Sequence, residues 1–129
     1  MADKNPPEHV DSGREYLDVS QGPERTDEIL GYLNEWHPDL AEFLLEHGFD
    51  ALYTRPGLTL QQRQLINVTT LVTQGDTGNN LYNHLVASLN LGLTEEELRE
   101  ALLHLTLYVG MPRALNAMAV LKEVTDARS

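Results

Sequence analysis

The 129-residue sequence contains no cysteine. Disulfides, thiolate metal sites and thiol redox chemistry are thereby excluded, and a cytoplasmic setting is the default expectation. Positive charge is scarce as well: nine Lys and Arg stand against 20 Asp and Glu, for a formal net charge of −11. Phosphate backbones and anionic headgroups need a basic surface, so neither nucleic acid nor a membrane is expected as a partner. No apolar run approaches bilayer length, and the N-terminus lacks the apolar stretch of a secretion signal, so the chain reads as soluble and unprocessed. Strand-like alternation is missing too. Its nearest approach, Val68-Thr69-Thr70-Leu71-Val72, lies inside a helical pattern. Glycine-rich phosphate loops are absent, and the five histidines are scattered with no His-x-x-x-His pair beside an acid. No metal site therefore stands out.

What remains is a helical protein. Apolar residues make up 41% of the chain, enough for a packed core, and the length fits one domain. Residues 1–25 are polar and rich in Pro, Gly and acids, and read as an arm that is either disordered or laid across a neighbour. Residues 26–129 read as a single all-α domain of about six helices. Pro38 interrupts the first helical pattern and Gly48 is placed to terminate the second. Capping boxes at Thr59/Gln62 and Thr94/Glu97 open two later helices, Asp76 or Thr77 can cap another, and Pro112 suits the start of the last. Two helical hairpins follow, 59–75 with 77–91 and 94–109 with 112–125. Their short loops imply antiparallel neighbours.

Three groups could carry chemistry. His84 shares a helix face with Leu81, Leu85 and Ser88, which puts a titratable ring at the margin of the core. As a structural residue it would be a neutral imidazole bonded to a backbone carbonyl. Glu100, His104 and Tyr108 recur every four residues on the next helix, so a carboxylate, an imidazole and a phenol line one face. The same stripe could simply be solvated or face another subunit. Arg55, Arg63 and Arg113 fall near helix ends that frame these helices and could grip a carboxylate, or form surface ion pairs.

Taken together, LYTRPGLTLQQRQLINVTTLV and HLVASLNLGLTEEELREALLHLTLYVGMPRALNAM resemble the carboxymuconolactone decarboxylase family, nearest to its γ-carboxymuconolactone decarboxylase branch. The likeness rests on Arg55-Pro56-Gly57-Leu58, the isolated His84, and Gly92 with Thr94, Glu96 and Glu97. Glu100, His104 and Tyr108-x-Gly110-x-Pro112 complete it. It covers about residues 30–125, and more faintly the arm from Gly13. The resemblance implies an alkylhydroperoxidase D-like helical-hairpin fold assembled as a trimer or hexamer. It also implies cofactor-free decarboxylation of a small carboxylated lactone or related conjugated acid at a site between subunits. His84, His104 and Tyr108 would then be catalytic, with Arg55, Arg63, Asn79, Asn80, Glu100 and Arg113 contacting the substrate. The related alkylhydroperoxidase D branch carries Cys-x-x-Cys-x-x-x-His; with His84 aligned, Thr77 and Asn80 occupy the cysteine positions, so peroxidase chemistry has no nucleophile here.

The chain departs from the decarboxylase branch at two places. Gly78-Asn79-Asn80 stand where that branch usually has acids before the histidine, and Gln64 follows Arg63 where a Glu is common. Both changes remove carboxylates that would tune an imidazole or take a proton. Two alternatives keep part of the picture: a tailoring enzyme that isomerises, dehydrates or cyclises another enone-like metabolite, and a non-catalytic ligand-binding or assembly protein.

Overall fold

A computed structural model describes residues 5–129, and among them every regular element is a helix. The order is α1 (Gly13–Gln21), α2 (Pro23–Trp36), α3 (Leu40–Phe43), a π-helical segment (Leu44–Asp50), α4 (Ala51–Tyr53), α5 (Leu60–Gln74), α6 (Asn79–Asn90), α7 (Glu95–Val109) and α8 (Met111–Arg128). The fold is thus all-α, as the helical periodicity implied. None of these helices is long and apolar enough to cross a membrane. The chain clusters into two units, one up to Leu60 and one from Gln61 onward.

In the first unit, the stretch expected to be a polar arm carries a capped helix. Ser12 sits in extended backbone and its Oγ accepts from the Glu15 N–H at 3.1 Å, which starts α1. Tyr16 and Leu17 are buried, and the Tyr16 ring stacks on Tyr53 with centroids 3.8 Å apart. Phe49 leans on both rings, at 5.8 and 5.9 Å. Such aromatic burial is ample reason for a polar-looking segment to fold. Close approach is needed at Gly13, whose N–H donates to Asp50 Oδ1 at 2.6 Å. A Cβ there would lie 2.5 Å from the Phe49 Cβ.

Gly48 does not end its helix. The chain passes through it in π-helical geometry and continues into α4. The wider turn lets Phe49 and Tyr53 both reach Tyr16, and that packing outweighs glycine's tendency to stop a helix. Pro38 does interrupt, since α2 closes at Trp36 with His37 in extended backbone.

The second unit holds α5 to α8, tied by side-chain bonds that define its directions. Gln61 Nε2, early in α5, donates to the Leu91 carbonyl beyond the end of α6 at 2.8 Å, so these two helices run antiparallel. Arg113, at the start of α8, donates to the Thr73 carbonyl near the end of α5, while Arg128 reaches Asn90 at 3.0 Å. Helix α8 therefore runs alongside α6 in the same direction. Gly110, with φ +94°, is the single residue between α7 and α8 and turns the chain between them. The Thr94/Glu97 capping box forms in full at the start of α7. Val68, Val72, Leu81, Leu85, Leu98, Leu102, Leu121 and Val124 fill the core between these four helices.

Candidate functional site

Helix α6 begins immediately after Gly78. Asp76, two residues upstream, accepts from the Gly78 and Leu81 N–H groups at 2.9 and 3.4 Å and so caps the helix from outside it. Thr77 is not the cap. This placement puts Asn79 and Asn80 in the first turn, both exposed, with His84 one turn further along the Asn80 face. Leu81, Leu85 and Ser88 are wholly buried beside it, as their spacing implied.

The His84 ring is half-buried and turned toward α5, where its Nδ1 lies 3.1 Å from Gln64 Oε1. Gln64 is completely buried. The ring's partner is therefore a side chain twenty residues earlier. The His84 carbonyl is itself occupied by the Ser88 hydroxyl, which donates to it at 2.7 Å. Loss of solvation pushes the imidazole below its ordinary pKa, opposed by the nearby Asp76 carboxylate. Gln64 carries no charge with which to raise it.

The second candidate group lies on another surface. Glu100, His104 and Tyr108 occupy the exposed side of α7, and the His104 and Tyr108 rings stack with centroids 5.1 Å apart. Tyr108 is 70% exposed. Around it, Leu103, Leu107, Met111 and Leu115 are exposed as well, Leu107 to 80%. So large an exposed apolar row is the usual mark of an interaction surface. Glu100 also lines a cleft of about 630 Å³ between α7 and α8, with Glu95, Arg99, Leu103, Met118 and Lys122. Four of its charges pair with one another, Arg99 with Glu95 and Lys122 with Asp126.

The arginines divide. Arg55 belongs to the first unit and is exposed in the turn after α4. Arg63 precedes Gln64 on α5 and is partly buried. Arg113 is committed to the Thr73 carbonyl. Among the described residues, no three His, Asp or Glu side chains are grouped so as to hold a metal ion.

Sequence reasoning singled out His84 but treated Gln64 only as a missing carboxylate. A signal was available. Gln64, Val68 and Val72 recur at a spacing of four on the buried face of α5, so a lone amide interrupts an apolar ladder. A buried amide needs a hydrogen-bonding partner.

Comparison with known proteins agrees with this architecture. The profile of the carboxymuconolactone decarboxylase family matches residues 38–123. The chain is 33% identical over 103 residues to a 4-carboxymuconolactone decarboxylase of Acinetobacter baylyi, covering 80% of this chain and 76% of that one. It is also 34% identical over 85 residues to a nitrosuccinic acid decarboxylase of Metarhizium robertsii, covering 66% of this chain and 59% of that protein.

Proposed function

The chain belongs to the carboxymuconolactone decarboxylase family, and we propose that it is a cofactor-independent decarboxylase of small conjugated or nitro-activated carboxylic acids. The observation that carries this reading is the His84 imidazole, held against Gln64 one helical turn from the exposed amides of Asn79 and Asn80.

γ-Carboxymuconolactone and nitrosuccinic acid share one chemical feature. Each carries a carboxylate on a carbon whose electron pair, once CO2 has left, spreads into an acceptor: a conjugated lactone in one case, a nitro group in the other. The protein must then hold the anion and return a proton to carbon. In the proposed cycle the C–CO2 bond breaks with its electrons remaining on the substrate. Protonated His84 gives its Nε2 proton to the carbanionic carbon, and the neutral imidazole recovers a proton from water. Asn79 and Asn80 offer amide hydrogen bonds to the substrate at the positive end of α6. Arg63 is the proposed carboxylate anchor; Arg113 is a weaker one, since its guanidinium already serves Thr73.

His104 and Tyr108 enter this scheme through assembly. The exposed apolar row of α7 and α8 supports a homo-oligomer in which the Glu100–His104–Tyr108 stripe of one protomer faces another, with the Tyr108 phenol available to a developing oxyanion.

The test incubates purified protein with γ-carboxymuconolactone and with nitrosuccinate, following substrate loss and CO2 release for wild type and His84→Ala. Wild-type turnover of at least one acid is expected, with a fall of about a hundredfold or more in the variant, the usual contribution of a general acid. Undiminished turnover by His84→Ala would remove His84 as the proton donor, and inactivity on both acids would count against the decarboxylase reading.

A further inference from the structure

The feature that the family likeness leaves unexplained is the uncharged partner of the histidine. Gln64 is wholly buried in a ladder otherwise apolar, and its Oε1 faces His84 Nδ1 at 3.1 Å. With the Gln64 amide oriented so that its Oε1 faces the ring, the oxygen accepts, and this arrangement selects the tautomer with hydrogen on Nδ1. In the neutral ring Nε2 is then the bare nitrogen.

We infer that Gln64 is a positioning residue that fixes His84 in the Nδ1–H form and so reserves Nε2 for exchanging the proton with substrate. This rests on the proposed decarboxylase reading for its catalytic consequence, though the geometry holds without it. A glutamine does what a glutamate at this position would do for orientation, but without adding a negative charge. The ring consequently gives up its proton more readily than it would beside a carboxylate. Among the described groups, Asp76 in the turn before α6 is the charge that acts on the ring, and burial acts against it. From α5 the facing group is Gln64 itself, and the α6 neighbours one turn away, Asn80 and Ser88, are neutral. A strongly stabilised imidazolium would hold its proton instead of passing it to carbon. The amide makes His84 a better donor once substrate charge has helped to protonate it.

The test needs no substrate in its first arm. Long-range 1H–15N correlation spectra of 15N-labelled protein, with the His84 signals assigned by comparison with His84→Gln, report which ring nitrogen is protonated. The expected result is Nδ1–H with Nε2 bare in the neutral ring. An Nε2–H form in the wild type would overturn the inference. In the same spectra Gln64→Glu should raise the His84 titration midpoint by about one pH unit or more, as a carboxylate within hydrogen-bonding distance does. An unchanged midpoint would mean that the two groups do not interact in solution.

The second arm is kinetic. Gln64→Met keeps the buried volume but removes the acceptor, and should lower kcat about tenfold or more with little change in KM, as loss of a histidine's orienting partner does. Gln64→Glu should restore orientation and move the alkaline limb of the kcat profile upward, in parallel with the spectroscopic midpoint. A Met variant with wild-type kcat and pH profile would reduce Gln64 to a packing residue. Should the Met variant not fold, Gln64→Glu and the wild-type spectra still decide. Inactivity of the wild type on every acid tried would defeat the decarboxylase reading, while the ring tautomer seen in the spectra would still decide the role of Gln64.

Discussion

The guanidinium of Arg113, in the first turn of α8, donates to the backbone carbonyl of Thr73 at the end of α5. The last carbonyls of a helix have no partner within it, and a cation there also meets the negative end of the helix dipole. The bond therefore joins two helices and finishes one of them.

Replacing Arg113 by Ala should cost about 0.3–1 kcal/mol, the usual worth of an exposed cation at a helix C-terminus. Thermal denaturation should show a small drop in Tm. The kinetic outcome separates two roles: a structural Arg113 leaves KM for the preferred acid nearly unchanged, whereas a substrate anchor raises it at least tenfold. The commitment to Thr73 favours the first result.

Gly13→Ala should destabilise the first unit. The new Cβ would lie 2.5 Å from the Phe49 Cβ and 2.8 Å from the Asp50 backbone nitrogen, so neither obstruction is the loose end of a side chain. Overpacking of this kind costs about 1–3 kcal/mol. Urea denaturation should show a lower midpoint for Gly13→Ala than for an exposed control such as Gly31→Ala, where a Cβ meets open space. Equal midpoints would mean that α1 can shift away from the π-helical segment at little cost.

Stability should fall toward acid partly through His84. Burial lowers the pKa of this imidazole in the folded chain, so the neutral form is favoured there relative to the unfolded chain. The contribution is therefore fully present above the unfolded value, about 6.5, and is lost as pH falls through the folded value, where the native ring must charge. Between pH 7.5 and pH 5, wild-type Tm should decline more steeply than that of His84→Gln. Parallel slopes would assign acid sensitivity to the carboxylates alone.

The second unit was largely readable from local patterns, because its helix ends use short-range chemistry. Thr94 and Glu97 cap each other within four residues, and the glycines at 75, 92 and 110 all take positive φ where the apolar periodicity stops. The first unit was less readable because its folding depends on distant partners. Tyr16 sits among Pro, Gly and acids, and nothing local shows that Phe49 and Tyr53 will cover it. The same contacts explain why Gly48 lies within a continuous helical path. At the candidate site, a spacing of four found the margin on which His84 lies. Its bond to Gln64 spans two helices and became visible only with the hairpin assembled.

The π-helical segment Leu44–Asp50 also bears on how this chain could vary in length. A wide turn accommodates an extra residue without breaking the helix around it. Removing one residue there, such as Gly48, would offer the backbone an ordinary α-helical route with every hydrogen bond still available. A π-helical turn holds about one residue more than an α-helical turn, so the shortened route would complete nearly the same rotation and the preceding helix would keep its phase relative to Phe49 and Tyr53. Leu40 and Ala41 would keep their directions. The segment thus absorbs one residue of chain length, and its deletion would be taken up inside the turn.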